Sequence, residues 1–308
     1  LPKKAELVGD YDLVVIGGGV AGMTTAISAG KLGPKVALIH NRPVLGGNAS
    51  QEAGVGYAGD VCFEPYPQVG RLTYDISWSY GGERRKWRFT SGAEAEPLQL
   101  NLLKREGVDL FLNFHANEVK TDKKTGCITE VGARNIVDSR RIRVKGRWFA
   151  DTTGDGCIGY LAGADYDQSA VHMGRANLWG IRDTGKAVEF PICSWALDLT
   201  EKPFPGRKGK WTSPNDRFAN LGGWYWESGF EREPFEESEQ IRDNNFRAMY
   251  GAWDCLKNVD REYENHEIAS ARFIAGKRES RRLLGDVVLS TVDIQTGKIF
   301  TDGCVPLN

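Results

Sequence analysis

The sequence predicts an α/β fold: a parallel sheet carrying an antiparallel β-meander insert, joined to a second, aromatic-rich α+β domain. Three observations predict it. A buried-strand run, Tyr11–Ile16 (YDLVVI), leads through clustered glycines into a small-residue helix and then a second apolar run, Lys35–His40 (KVALIH). Hairpin-like segments follow between residues 118 and 145. Beyond residue 171 the composition shifts, and residues 177–253 hold six of the nine Trp.

The elements follow in order. Tyr11–Ile16 suits a strand covered on both faces, and Met23–Leu32 reads as a helix stopped by Gly33 and Pro34. Strand, helix and second strand within about thirty residues make a βαβ unit and require a parallel sheet. Residues 55–95 read as a loop-rich insertion, with Arg84, Arg85 and Lys86 as a solvated basic patch. Glu96–Arg105 is expected to be a helix with Pro97 near its first turn and Gly107 at its end. Val108, Leu110, Leu112 and Phe114 alternate as one strand. The meander is expected from Glu118–Asp122, a turn at 123–126, Cys127–Ala133 and Arg140–Lys145. Arg147–Asp151 then returns to a third glycine turn and a short helix, Cys157–Ala162.

In the second domain, Phe246, Met249, Tyr250, Trp253 and Leu256 recur at helical spacing and read as core. Ser270–Leu284 reads as a basic helix and Val287–Leu289 as a strand. The expected domains are 10–170 for nucleotide binding, 171–270 for substrate, and a return segment, 271–308.

Composition narrows the function. Lys+Arg is 40 against Asp+Glu 41, so the basic surplus of a nucleic-acid protein is missing. A hydrophobic share of 41% with 26% charged residues excludes a disordered chain. Gly is 37 of 308, an excess that sits in clusters at turns. The uncharged run Leu13–Gly30 is interrupted by five glycines and reads as strand–turn–helix, not a membrane span. Residues 1–10 are polar with no signal-peptide pattern, which favours the cytoplasm over the periplasm and leaves the compartment open. The six Cys show no CxxC and read as reduced, buried thiols. The four His are scattered, and Glu262/His266 at i, i+4 is a solvated pair, so no metal site is expected.

Gly17-x-Gly19-x-x-Gly22 follows a buried strand and opens a helix, the context a dinucleotide-binding turn requires. Gly17 permits the tight turn, Gly19 lets backbone approach a pyrophosphate, and Gly22 lets helix pack on strand. The helix N-terminus then offers free N–H groups to the phosphates. This Rossmann-like reading expects an acid about twenty residues on, at the end of the second strand, to bind ribose. The place holds His40, followed by Asn41 and Arg42. His or Asn can hydrogen-bond ribose hydroxyls, while Arg42 raises a 2′-phosphate and NADP as a rival. Gly54–Gly59 repeats the glycine spacing without a strand before it, and Gly154–Gly159 repeats it without a second βαβ partner, so neither predicts a nucleotide site. Gly180–Ala187 resembles a P-loop but has Ala187 where the magnesium ligand belongs.

The stretches VVIGGGVAGMTTAISAG, VALIHNRPVLGGNAS and FADTTGDGCIGYLAGA together resemble the FAD-dependent oxidoreductase family with the glutathione-reductase-type FAD fold. GKRESRRLLGDVVLS (276–290) is similar to a late segment of a largely bacterial branch, some members of which carry a xanthan-lyase-like name. The resemblance covers roughly 10–60, 108–165 and 270–305. It implies FAD as cofactor, with the pyrophosphate at Ile16, Gly17, Gly18, Gly19, Val20, Ala21 and Gly22. His40, Asn41 and Arg42 would border the adenosine ribose, and Gly46, Gly47 and Asn48 would pass the ribityl chain and flavin. Ala116 would meet adenine through its backbone, and Thr153, Gly154 and Asp155 would return beside the cofactor.

The expected function is FAD-dependent oxidation or reduction of a small organic substrate, with a carbohydrate-related one as the reading that Trp stacking raises. Arg278, Arg281 and Arg282 are candidates to stabilise the reduced flavin. Two alternatives stay open: an NAD(P)-dependent dehydrogenase, and a non-catalytic sugar-binding module on a nucleotide-binding scaffold. Enzymes of this type close over the flavin with a late strand, glycine turn and helix. None is legible after Asp286, so 271–308 is expected to be a truncated return.

Overall fold

The YDLVVI run forms the middle of a sheet in the computed structural model, which describes residues 5–57, 67–78, 89, 91–207, 221–223, 226–298 and 300. The expectations placed on Arg84–Lys86, Gly59, Cys62, Trp211, Trp224 and residues 301–308 lie outside those residues. The chain divides into two compact units: 1–51, 56–168 and 281–308 form the first, and 52–55 with 169–280 form the second.

The first unit opens with β1 (Glu6–Ile16), α1 (Val20–Gly30) and β2 (Val36–His40), the expected βαβ. Helices α2 (Pro67–Ile76) and α3 (Gly92–Arg105) follow. Helix α3 starts four residues earlier than the expected Glu96, because the Ser91 side chain accepts the Glu94 amide and caps it. Pro97 therefore lies inside the helix rather than at its start. The alternating run 108–114 is not one strand. Asn113 adopts a left-handed φ of 64° and divides it into β3 (Asp109–Leu112) and β4 (Phe114–Thr121). Strands β5 (Ile128–Asn135) and β6 (Arg141–Asp151) complete the meander, and β6 runs unbroken through the two segments expected separately.

The sheet order is β3-β2-β1-β6-β5-β4. Strand β1 pairs in parallel with both β2 and β6, while β4, β5 and β6 pair antiparallel. Side-chain alternation sorts two cores. Val15, Val36 and Leu38 face Met23 and Ile27 of α1 and Leu103 of α3. Val14, Ile16, Ala37 and Ile39 face Phe114, Ala116, Val131 and Val144 of the meander. Each such side chain contributes about 1.5–3 kcal/mol by leaving water, which is why β1 and β2 read as continuous apolar runs. Helix α4 (Cys157–Leu161) and β7 (Tyr166–Gln168) end this stretch.

The second unit contains β8 (Arg175–Ala176), β9 (Trp179–Asp183), β10 (Glu227–Ser228), α5 (Ser238–Asp254) and β11 (His266–Ala271). Its core gathers Trp179, Phe204, Trp226, Met249, Trp253 and Leu256, with Trp179 edge-on to both Trp226 and Trp253. The buried Arg207 guanidinium, 5.3 Å from the Phe204 ring centroid, donates twice to the Asp260 carboxylate at 2.8 Å.

Two expected elements are absent here. Ser270–Leu284 is not a helix: its start belongs to β11, which pairs antiparallel with β9, and its end to β12 (Arg281–Leu283), which pairs with β7 in the first unit. Partners distant in sequence satisfy these backbones, so local charge pattern does not decide them. Val287–Leu289 is not a strand either; it is exposed, and is followed by α6 (Thr291–Gln295) with its Ser290/Asp293 capping box. His266 lies on β11 and Glu262 precedes it in a loop, so they are not a helical pair. Of the described cysteines all are free thiols, but only Cys255 is buried, and Cys127, beside the β4–β5 turn, is exposed. No helix among the described residues is long and apolar enough to cross a membrane.

Candidate functional site

Three segments converge on the N-terminus of α1. The first is the glycine turn. Gly17 has φ 110°, and a Cβ there would lie 2.3 Å from the Thr152 carbonyl oxygen. A Cβ on Gly22 would lie 1.8 Å from the Gly17 carbonyl oxygen. These glycines are therefore demanded by the protein's own backbone. Gly19 differs, because a Cβ there would meet nothing within 4 Å. It is the N-cap of α1, with no side chain capping the helix and no acid in its first turn. The first helical bond runs from the Met23 amide to the Gly19 carbonyl, so the amides of Val20, Ala21 and Gly22 precede the helical ladder. Uncapped donors and the positive end of the helix dipole thus lie beside the open position at Gly19, an arrangement suited to a phosphate.

The second segment is the turn after β2. Its Gly46 (φ 109°) donates its amide to the Gly18 carbonyl at 2.9 Å, and Gly47 (φ 58°) brings its Cβ position within 3.1 Å of the Gly19 Cα. The third is the turn after β6. Thr152 donates its amide to the Ile16 carbonyl, and its hydroxyl lies 2.8 Å from the carbonyls of Ile16 and Gly17. Thus Gly46 and Gly47 of the second turn and Thr152 and Thr153 of the third are brought against Ile16–Gly19. Asn41 is exposed and Arg42 half-buried beside it. Ala116 puts its side chain into the meander core, leaving backbone as what it offers a ligand.

His40 is buried, and both ring nitrogens are engaged by backbone. The Gly18 amide donates to Nδ1 at 2.9 Å, and Nε2 lies 3.1 Å from the Val44 carbonyl oxygen.

Asp151 was not singled out by sequence. Its carboxylate accepts from the Thr153 amide and hydroxyl and from the Ile158 and Gly159 amides, tying the turn to the start of α4. An Asp two residues before a Thr is the signal for such a turn. Asp155 is buried at its centre. Of the three arginines, Arg281 stacks over the Tyr160 ring at 4.1 Å and donates to the Asp155 carbonyl at 3.2 Å. Arg282 pairs with Asp167 at the surface, and Arg278 belongs to the second unit, beside Met173.

A sequence model of the family described as FAD dependent oxidoreductase matches residues 12–178, more than half of the chain and the whole of this cradle. The chain belongs to the FAD-dependent oxidoreductase family. FAD is the cofactor of that family, and the open face at Gly19, the uncapped α1 and the pinned glycine turns fit its pyrophosphate.

Among curated proteins, a soluble pyridine nucleotide transhydrogenase of Ectopseudomonas mendocina is 51% identical over 41 residues, 13% of this chain and 9% of that protein. A fumarate reductase (cytochrome) of Shewanella frigidimarina is 56% identical over 43 residues, 14% of this chain and 8% of that protein. The matched stretches span less than a tenth of these relatives. Among solved structures, a geranylgeranyl bacteriochlorophyll reductase-like protein of Thermoplasma acidophilum is similar with TM-score 0.47 and 14% identity, over 89% of this chain and 66% of that one. A myxobacterial FAD-dependent halogenase has TM-score 0.40 and 17% identity, over 60% of this chain and 46% of that one.

Proposed function

We propose that this member of the FAD-dependent oxidoreductase family oxidises or reduces a small organic substrate, and that Ile16–Gly22 holds the pyrophosphate of its FAD. The observation that carries this reading is the empty space at Gly19 before an uncapped helix, fenced by turns bonded to the same glycines. FAD, when bound, supplies a two-electron carrier for hydride exchange with the substrate. The protein's own part is to bind and orient. The α1 amides would meet phosphate charge, Gly46–Asn48 and Thr153–Asp155 would hold the part of FAD that leads to the flavin, and Ala116 would offer backbone to adenine. The antiparallel meander inserted between β3 and β6 supports the glutathione-reductase-type arrangement, and 276–290 supports the xanthan-lyase-like branch.

Arg281 is the arginine favoured for the flavin side, since it is fixed against Asp155 of the cradle. Within the second unit the carbohydrate reading narrows to one described Trp. Trp179, Trp226 and Trp253 are core, whereas Trp195 is half exposed and braced by the Tyr250 ring at 4.7 Å, an apolar platform for a sugar face.

The deciding experiment is the visible spectrum of the purified protein, with identification of the molecule released on denaturation. A flavin spectrum and released FAD support the proposal. A colourless protein that FAD does not reconstitute overturns it and favours a nicotinamide enzyme or a sugar-binding module.

A further inference from the structure

We infer that His40 does not read the FAD ribose but acts as a positioning residue, a neutral imidazole that pins the two glycine turns of the cradle to each other. The inference rests on the FAD reading above and concerns how this chain builds that site without an acid at the end of β2.

The hydrogen bonds settle the protonation of the ring. The Gly18 amide can only donate, so Nδ1 must present its lone pair; the Val44 carbonyl can only accept, so Nε2 must carry the proton. A neutral imidazole has one acceptor and one donor, and both are taken by backbone. For a ribose hydroxyl to bond a ring nitrogen, one of these contacts would have to break, freeing either the buried Gly18 amide or the half-buried Val44 carbonyl.

The glycine between Gly17 and Gly19 supports the same assignment. The dinucleotide-binding pattern leaves that position variable, and Gly18 is not among the glycines with positive φ. Its requirement is space. A Cβ at Gly18 would lie 2.7 Å from the His40 Cγ and 2.8 Å from a methyl of Leu45. Gly18 is glycine because the imidazole and the Leu45 side chain leave no room for a Cβ. The Gly18 peptide is then held on both sides, its amide by His40 and its carbonyl by the Gly46 amide at 2.9 Å. The His40 ring reaches on to Val44, two residues before Gly46, so one side chain fixes the spacing of both turns on either side of Gly19.

The test uses the full chain. In the apo protein, long-range proton–nitrogen NMR of the histidine rings should show His40 as the Nε2–H tautomer, its signals identified by their loss in His40→Asn. An Nδ1–H or doubly protonated ring would overturn the inference. FAD titration then separates pinning from ribose reading. His40→Asn keeps an acceptor at the Nδ1 position for the Gly18 amide but gives up the Val44 contact, and should bind FAD about threefold more weakly than wild type. His40→Leu removes both bonds and should lose about tenfold or more. His40→Glu, which restores the acid but sets a carboxylate against the Val44 carbonyl, should also weaken FAD. Tighter binding by His40→Glu, or unchanged binding by a folded His40→Leu, would overturn the inference; if His40→Leu does not fold, the tautomer and the Glu variant still decide. Failure of the wild-type protein to bind FAD would overturn the functional proposal, while the tautomer measurement on the apo protein would still judge the pin.

Discussion

A side chain at Gly19 would meet nothing of the protein, and that makes the residue a selective probe. Gly19 has φ −68° and ψ −179°, extended backbone that valine adopts readily. Gly19→Val should therefore fold with near wild-type thermal stability yet bind no FAD, because its methyls occupy the pyrophosphate approach. Flavin occupancy equal to wild type in the folded variant would contradict the site. Gly22→Ala makes the opposite case. Its methyl has no room against the Gly17 carbonyl, so urea unfolding should show a loss of about 1–3 kcal/mol. Tyr57 supplies a pH test, since burial pushes its phenol up to about 12. A raised acid stabilises the fold fully below its unfolded value near 10 and loses that contribution as pH rises through about 12. Tyr57→Phe should therefore flatten the decline of stability across that window, followed by alkaline unfolding monitored with circular dichroism. At this scale the glycine motif was legible because φ and close approach dictate residue type. The role of His40 was not, because spacing locates a side chain and says nothing of which backbone groups it meets.

Turns and strands depend on partners that sequence distance conceals. The βαβ opening could be read because each strand is buried on both faces and each boundary is marked by Gly or Pro. The misreading of 270–284 has the opposite cause. Its arginines and glutamate suit a helix locally, but β11 and β12 find their partners in β9 and β7, some ninety residues and more away. Leu283 then closes over Gly156 and Gly159, where a Cβ would come within 3.0 Å and 2.4 Å of its side chain. Helix α3 misled at its start for a similar reason: Ser91 outcompetes Pro97 as a start signal because its hydroxyl satisfies an amide. The turn after β6 depends on Asp151, whose carboxylate caps α4 and holds Thr153 at once. Asp151→Ala should cost about 1–2 kcal/mol in urea denaturation, the scale of a lost helix cap, with Asp151→Asn intermediate. An unchanged midpoint in Asp151→Ala would show that the turn holds without its carboxylate.

The whole chain carries separate cores for its two units. Alternating β1 and β2 side chains supply both cores of the first, and the Trp179–Trp226–Trp253 cluster supplies that of the second. The boundary is not a single crossing, because residues 52–55 belong to the second unit while flanked on both sides by the first. Nothing in the Glu-Ala-Gly-Val sequence there announces this, since only the close approach of Gly54 to the Arg272 side chain and of Gly276 to Val55 explains it. All the residues assigned to FAD lie in the first unit. A ligand that binds only the native form stabilises whatever unfolds together with its site, by about 2.7 kcal/mol at a hundredfold excess over Kd. For a unit of this size that is a rise of roughly 5–10 °C in Tm. Calorimetry with and without FAD should show the rise in one transition only, while near-ultraviolet circular dichroism of the clustered tryptophans follows a second transition that FAD leaves in place. A single transition displaced as a whole would mean that the two cores unfold together. That outcome would make the 52–55 excursion and the 169 and 280 crossings cooperative links rather than passive connections.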